Sequence, residues 1–84
     1  MKIKFTQSAR KHRIGKARAM YVIENFSFTI ITGEDDEKIQ RVWVAKDNRG
    51  LELEIVAVVL EDYLLVTHVM PTDLRRGKNR WPQK

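Results

Sequence analysis

Eighty-four residues are enough for one domain around a single modest core, and the 43% of hydrophobic residues can supply it. The absence of cysteine removes disulfides and thiolate metal sites, and with His12 and His68 as the two histidines no metal site and no cofactor is expected. No apolar run reaches the length of a membrane span and no signal-peptide core opens the chain, so the expectation is a cytoplasmic protein without membrane contact.

The net charge of +5 is unevenly spread. Residues 1–18 hold seven Lys/Arg and no acid, and residues 74–84 hold five and no acid. The intervening stretch has four Lys/Arg against eleven Asp/Glu, so the ends carry +12 and the middle −7. Such segregation fits a polyanion-binding face if both ends fold to one side. It fits a soluble domain with a basic tail equally well.

Taken in order, Lys2-Ile3-Lys4-Phe5 alternates basic and apolar residues, as a strand with Ile3 and Phe5 inward would. Thr6 or Ser8 can cap a short basic helix running through Arg13, with Gly15 as its stop. A second helix is expected over Lys16 to Asn25, because Ala19, Met20, Ile23 and Phe26 recur at helical spacing. Phe26 to Thr32 has strand composition, and residues 33–37 form an acidic loop. Lys38 to Lys46 alternates again, and Asp47-Asn48-Arg49-Gly50 is a hairpin turn whose Asn and Gly tolerate positive φ.

The turn leads into Leu51–Met70, the most apolar stretch of the chain, broken only at Glu61-Asp62. Leu51, Leu53, Ile55, Ala57 and Val59 alternate with Glu52, Glu54, Val56, Val58 and Leu60. The alternation predicts a half-buried strand whose doubly apolar second half is covered on both faces. Tyr63 to Met70 predicts its hairpin partner. Glu52 and Glu54 read as one solvated strand face. Pro71 ends the second strand. The residues beyond it turn basic.

The expectation is therefore an α+β domain over residues 1–75, ordered β-α-α-β-β-β. Its sheet is mostly antiparallel, with two N-terminal helices packed on one face. Residues 76–84 are expected to be a basic tail, disordered unless bound.

Three segments carry a resemblance to known proteins. They are Ser8-Ala9-Arg10-Lys11-His12-Arg13-Ile14, the hairpin Trp43–Glu54, and Thr67-His68-Val69-Met70-Pro71 followed by Arg75. Together they resemble the small toxins of bacterial toxin–antitoxin pairs in the RelE/ParE superfamily, in its BrnT-like branch, over roughly residues 3–75. Relatives often carry a histidine where Ser8 stands. The resemblance implies a RelE-like fold and a toxin that cleaves mRNA with growth arrest, as RelE and BrnT types do. ParE types instead poison gyrase through protein contacts. It also implies a cognate antitoxin that covers the basic surface, ribosome-bound mRNA as a target, and operator DNA bound only through the antitoxin.

Metal-free RNA cleavage needs a base for the 2′-hydroxyl, an acid for the leaving 5′-oxygen, and cations for the phosphorane. His68 is the acid/base candidate, since imidazole can exchange protons near neutrality. By strict alternation it shares a face with Leu64, Val66 and Met70, where a buried histidine bonded to backbone is the plain alternative. Arg75 follows the His68 segment, and a guanidinium fork suits phosphate. Lys46 and Arg49 flank the hairpin turn and can reach the same face, although turn solvation explains Arg49 as well. Arg10, Lys11, His12, Arg13, Lys16 and Arg18 form a basic cluster for RNA phosphates or for an antitoxin. Trp81 could stack on a base. A ribonuclease toxin, a non-enzymatic protein-targeting poison and a basic regulatory domain that binds nucleic acid are the three functions these residues leave open.

Overall fold

The computed structural model describes residues 2–32 and 38–73. The acidic loop at 33–37, Arg75, Trp81 and the basic tail lie outside the described residues. Five strands form one mixed sheet: β1 (Lys2–Phe5), β2 (Thr29–Thr32), β3 (Ile39–Lys46), β4 (Glu52–Val59) and β5 (Tyr63–Pro71). Their spatial order is β1-β5-β4-β3-β2. Strands β2 to β5 form an antiparallel meander, and β1 returns to pair parallel with β5, Ile3 opposite Leu64 and Phe5 opposite Val66.

The expected pair of helices is not formed. Among the described residues one α-helix, α1 (Lys16–Asn25), packs against β3 and β4, and a 3-10 turn at Ser8–Arg10 packs against β5. The reason is visible in residues 6–13. Thr6 does act as a cap, its Oγ1 accepting the Ala9 N–H at 3.1 Å. Ala9, however, is the one residue of that stretch in the core, so no apolar stripe holds a longer helix. Arg10, Lys11, His12 and Arg13 add crowded positive charge, and Arg13 at φ 60° turns the chain out of helical conformation. The β-α-α-β-β-β order and its two-helix layer therefore give way, among the described residues, to five strands with one helix.

Gly15 has a different role from the one expected. It sits in extended conformation (φ −64°, ψ 152°) as the N-cap of α1, and no side chain bonds the first-turn N–H groups. The second expected strand is also shorter, because Phe26, Ser27 and Phe28 connect α1 to β2 without joining the ladder.

One face of the sheet and the helical layer make the core. Trp43, Leu53, Ile55, Ala57, Leu64, Val66 and Val69 meet Ala9, Ala19 and Val22 there, all nearly or wholly excluded from solvent. The other face is open: no helix among the described residues lies on it. Val42, Val56, Val58, Leu65 and Met70 stand half-buried on that side, and Val44 is exposed. The second half of β4 is thus apolar on both faces, and among the described residues a helix covers only one of them.

A bulge decides which way the end of β5 faces. Ile55 pairs with Val69 and Val56 with His68, but Ala57 pairs with Val66, so Thr67 is an extra residue. Strict alternation would have placed His68 beside Leu64 and Val66. The extra residue restores Val69 to the core and turns His68 to the open face. Thr67 ties the bulge down by donating its hydroxyl to the Val56 carbonyl at 3.4 Å.

Gly15→Asp should stabilise the fold. The position has extended backbone and open space for a side chain. A carboxylate there supplies the absent cap and removes glycine's freedom in the unfolded chain, for a gain of roughly 0.5–1 kcal/mol. Urea unfolding should show a higher midpoint at unchanged slope.

Candidate functional site on the open sheet face

The register gathers chemically active side chains at one end of the open face. Glu54 lies opposite Met70 and Val56 opposite His68, so Glu54 and His68 are diagonal neighbours across β4 and β5. The His68 Nε2 stands 4.0 Å from the Glu54 Oε2, with the imidazole side chain 35% exposed and the carboxylate side chain 16%. Nε2 is itself shielded from solvent and makes no hydrogen bond. At 4.0 Å the two groups face one another without sharing a proton bridge. Catalytic hydrogen bonds are often this long before substrate draws them together.

Glu54 is the residue that sequence reasoning passed over. Alternation made Glu52 and Glu54 one solvated face, yet the structure gives each a distinct surrounding. The Thr72 hydroxyl donates to Glu52 Oε1 at 2.6 Å, and Thr72 is buried. Glu54 lies between Val44 and Met70 in the register and reaches within 4.0 Å of His68. No signal in the sequence pointed to it: a regular hairpin closing at Glu61-Asp62 would pair Glu54 with Val69 and put His68 on the other face, and only the bulge at Thr67 brings Glu54 opposite Met70 with His68 on its side.

Lys46 ends β3 on the same face, exposed and opposite Glu52. On the β1 side, Lys4 lies beside Leu65, with its Nζ 4.5 Å above the Tyr63 ring. Because β1 runs parallel to β5, the 3-10 turn that follows it borders the part of β5 that bears His68. Arg10, Lys11 and Arg13 are exposed there, His12 is half-buried, and exposed Lys16 reaches over the Phe5 ring at 5.7 Å. Lys46 and Lys4 thus share the open face with Glu54 and His68, whereas Lys16, over the core-facing Phe5, lies on the helical side of the sheet.

Two candidates have structural duties instead. Arg18 donates from Nε to Asp47 Oδ2 at 2.7 Å, and the Asp47 side chain is wholly excluded from solvent. Asp47 Oδ1 accepts from the Arg49 N–H at 2.8 Å and the Leu51 N–H at 3.0 Å. One carboxylate therefore organises the β3–β4 turn and anchors α1 to it. The Arg49 side chain projects from this turn, exposed. Gly50 closes the turn at φ 84°, as the sequence required.

Among the described residues no helix is long and apolar enough to cross a membrane. Comparison with protein-family models, with curated proteins and with solved structures finds no match to this chain.

Two measurements check the Asp47 anchor. Asp47→Ala removes three accepted hydrogen bonds and leaves Arg18 without its partner, which should cost about 3 kcal/mol in urea unfolding. Asp47→Asn keeps an acceptor for the turn and should cost less. Burial alone would raise the Asp47 pKa, but the Leu51 and Arg49 N–H groups and the Arg18 guanidinium outweigh it and hold the carboxyl below its ordinary 3.8. Between the lowered value and 3.8 the unfolded chain binds more protons than the folded one. The carboxylate's contribution is therefore fully present above that range and is lost as pH falls through the lowered value. The gap between the wild type and Asp47→Asn should stay constant from neutral pH down to that range and close below it.

Proposed function

We propose that this chain is the toxin of a toxin–antitoxin pair, of the BrnT-like kind, and that it cleaves RNA without a metal through Glu54 and His68. The observation that carries the reading is the carboxylate and imidazole held 4.0 Å apart on the sheet face away from the helix. The resemblance of the three sequence segments supports it; the two-helix layout, which this chain lacks, is no part of it.

In the proposed reaction the Glu54 carboxylate takes the proton of an RNA 2′-hydroxyl. The 2′-oxygen attacks the adjacent phosphorus while the P–O5′ bond breaks. His68, entering as imidazolium, gives its proton to the leaving 5′-oxygen, and the products are a 2′,3′-cyclic phosphate and a 5′-hydroxyl. Lys46, with Arg75 assigned by resemblance, supplies positive charge for the phosphorane. Arg10, Lys11, His12, Arg13 and Lys16 hold flanking phosphates in the free toxin and are the surface an antitoxin covers. The setting is the cytoplasm, and ribosome-bound mRNA is the substrate class that the resemblance suggests.

The test is induction in bacteria with and without the antitoxin, followed by cleavage with purified protein. Growth arrest with rapid mRNA loss is expected, and purified toxin should cut RNA in EDTA and leave cyclic phosphate ends. His68→Gln and Glu54→Gln should each lower cleavage by roughly 10²–10⁴-fold while antitoxin binding is retained. Arg75→Ala should lower it as well. Arrest with intact mRNA would move the assignment to a poison that works through protein contacts, and no arrest would sink the toxin reading.

A further inference from the structure

His68 carries a nitrogen whose surroundings are unusual for a strand on an open face. Its Nε2 is shielded from solvent and makes no hydrogen bond, while the imidazole side chain as a whole is 35% exposed. Shielded polar atoms are nearly always paired, and one without a hydrogen bond points to a catalytic role, a water or an ion. The group that faces Nε2 is a carboxylate, Glu54 Oε2 at 4.0 Å. A cation between the two satisfies both.

The register brings up a third donor. Met70 lies directly opposite Glu54 and follows His68 by two residues, so its thioether belongs to the same face. Val44, opposite Glu54, and Val56, opposite His68, give the three side chains apolar neighbours. The nearby charges on this face are Glu52 and its register partner Lys46. Lys4 is turned to the Tyr63 ring, and the 3-10 turn with its cations packs on the core side through Ala9. Even counting Arg75, which the catalytic reading adds here, two carboxylates match two cations. The surroundings do not repel a metal ion.

The donor set selects the metal. Among the described residues no three His, Cys, Asp or Glu side chains gather around one point, so zinc and magnesium find too few of the donors they favour. Copper differs. Its divalent form heads the affinity order of first-row ions at imidazole and carboxylate, and its reduced form takes imidazole with a soft thioether. First-row ions make bonds of about 2.0–2.2 Å to nitrogen and oxygen, so one ion can touch donors that stand 4.0 Å apart.

We infer that His68, Glu54 and Met70 form a copper site. Nε2 and the carboxylate hold Cu²⁺, and Nε2 and the thioether hold Cu⁺. Binding alone is involved, with no electron transfer. The site stands without the catalytic reading; only its consequence rests on that reading. An ion on Nε2 takes the place of the proton due to the leaving oxygen, and an ion on Glu54 occupies the base. Bound copper is therefore an inhibitor of cleavage.

The test is titration of the purified protein with Cu²⁺, followed by electron paramagnetic resonance, and with Cu⁺ against a competing chromophoric chelator under reductant. One equivalent of each should bind, with nitrogen coupling in the Cu²⁺ spectrum. His68→Gln should weaken both by at least about tenfold. Glu54→Gln should weaken mainly Cu²⁺, and Met70→Leu mainly Cu⁺. His12→Gln removes the other imidazole and should change neither. Far-UV spectra check that each variant folds. Binding that survives His68→Gln, or that is lost in His12→Gln, overturns the site. In the cleavage assay one equivalent of copper should abolish activity and EDTA should restore it, while Met70→Leu should cleave normally and resist Cu⁺. Cleavage that continues with copper bound overturns the inhibitory role. Copper bound as described to a protein that never cuts RNA upholds the site and overturns the catalytic reading alone.

Discussion

Much of this small fold hangs on one solvent-excluded carboxylate. Asp47 accepts hydrogen bonds from two backbone N–H groups of its own turn and from the Arg18 guanidinium. The first two set how β3 passes into β4; the third brings a helix of only ten residues down onto those strands. Such a helix has little stability of its own and α1 lacks a capping side chain, so docking must provide what propensity does not. A buried ion pair contributes little net energy when compared with apolar packing. Its value here is geometric: it joins one turn and one helix in a single arrangement.

The second constraint is the demand that one face of β4 and β5 stay buried along their whole length. Ile55, Ala57, Val66 and Val69 are all at 0–1% exposure, and only an extra residue at Thr67 lets β5 meet this demand while carrying His68. Without the bulge an imidazole would enter the apolar layer and Val69 would leave it. Bulges often re-aim a side chain beside a functional surface. Here the re-aimed side chain meets Glu54.

Strand content was legible in the sequence because alternation over Lys38–Lys46 and Leu51–Met70 is strong, and the Asp47–Gly50 turn is rich in residues that favour turns. The helix over Lys16–Asn25 was legible from its apolar spacing. The failed first helix shows where local signals mislead: Thr6 is a genuine cap, but a cap without an apolar stripe starts only a turn. Period-two reasoning cannot see a bulge, so alternation groups His68 with Leu64, Val66 and Met70, whereas the structure keeps it only with Met70. Glu54 escaped notice because its partner is distant in sequence and depends on register. Arg18 looked like one more surface cation, since no pattern shows which arginine of a basic run will find a buried acid.

The sheet's connectivity bears on how the protein is assembled. Strands β2 to β5 are neighbours in sequence as well as in space, so each pairing closes a short loop. β1 is different: Lys2 pairs with Tyr63 and Phe5 with Val66, which joins the two extremes of the domain. Closing that span costs more chain entropy than any step of the meander, and non-local pairings of this kind slow folding. During synthesis β1 emerges first and has no partner until β5 follows. Until the parallel pairing forms, β5 is itself an edge, and the strand bearing His68 is the last part of the sheet to be enclosed.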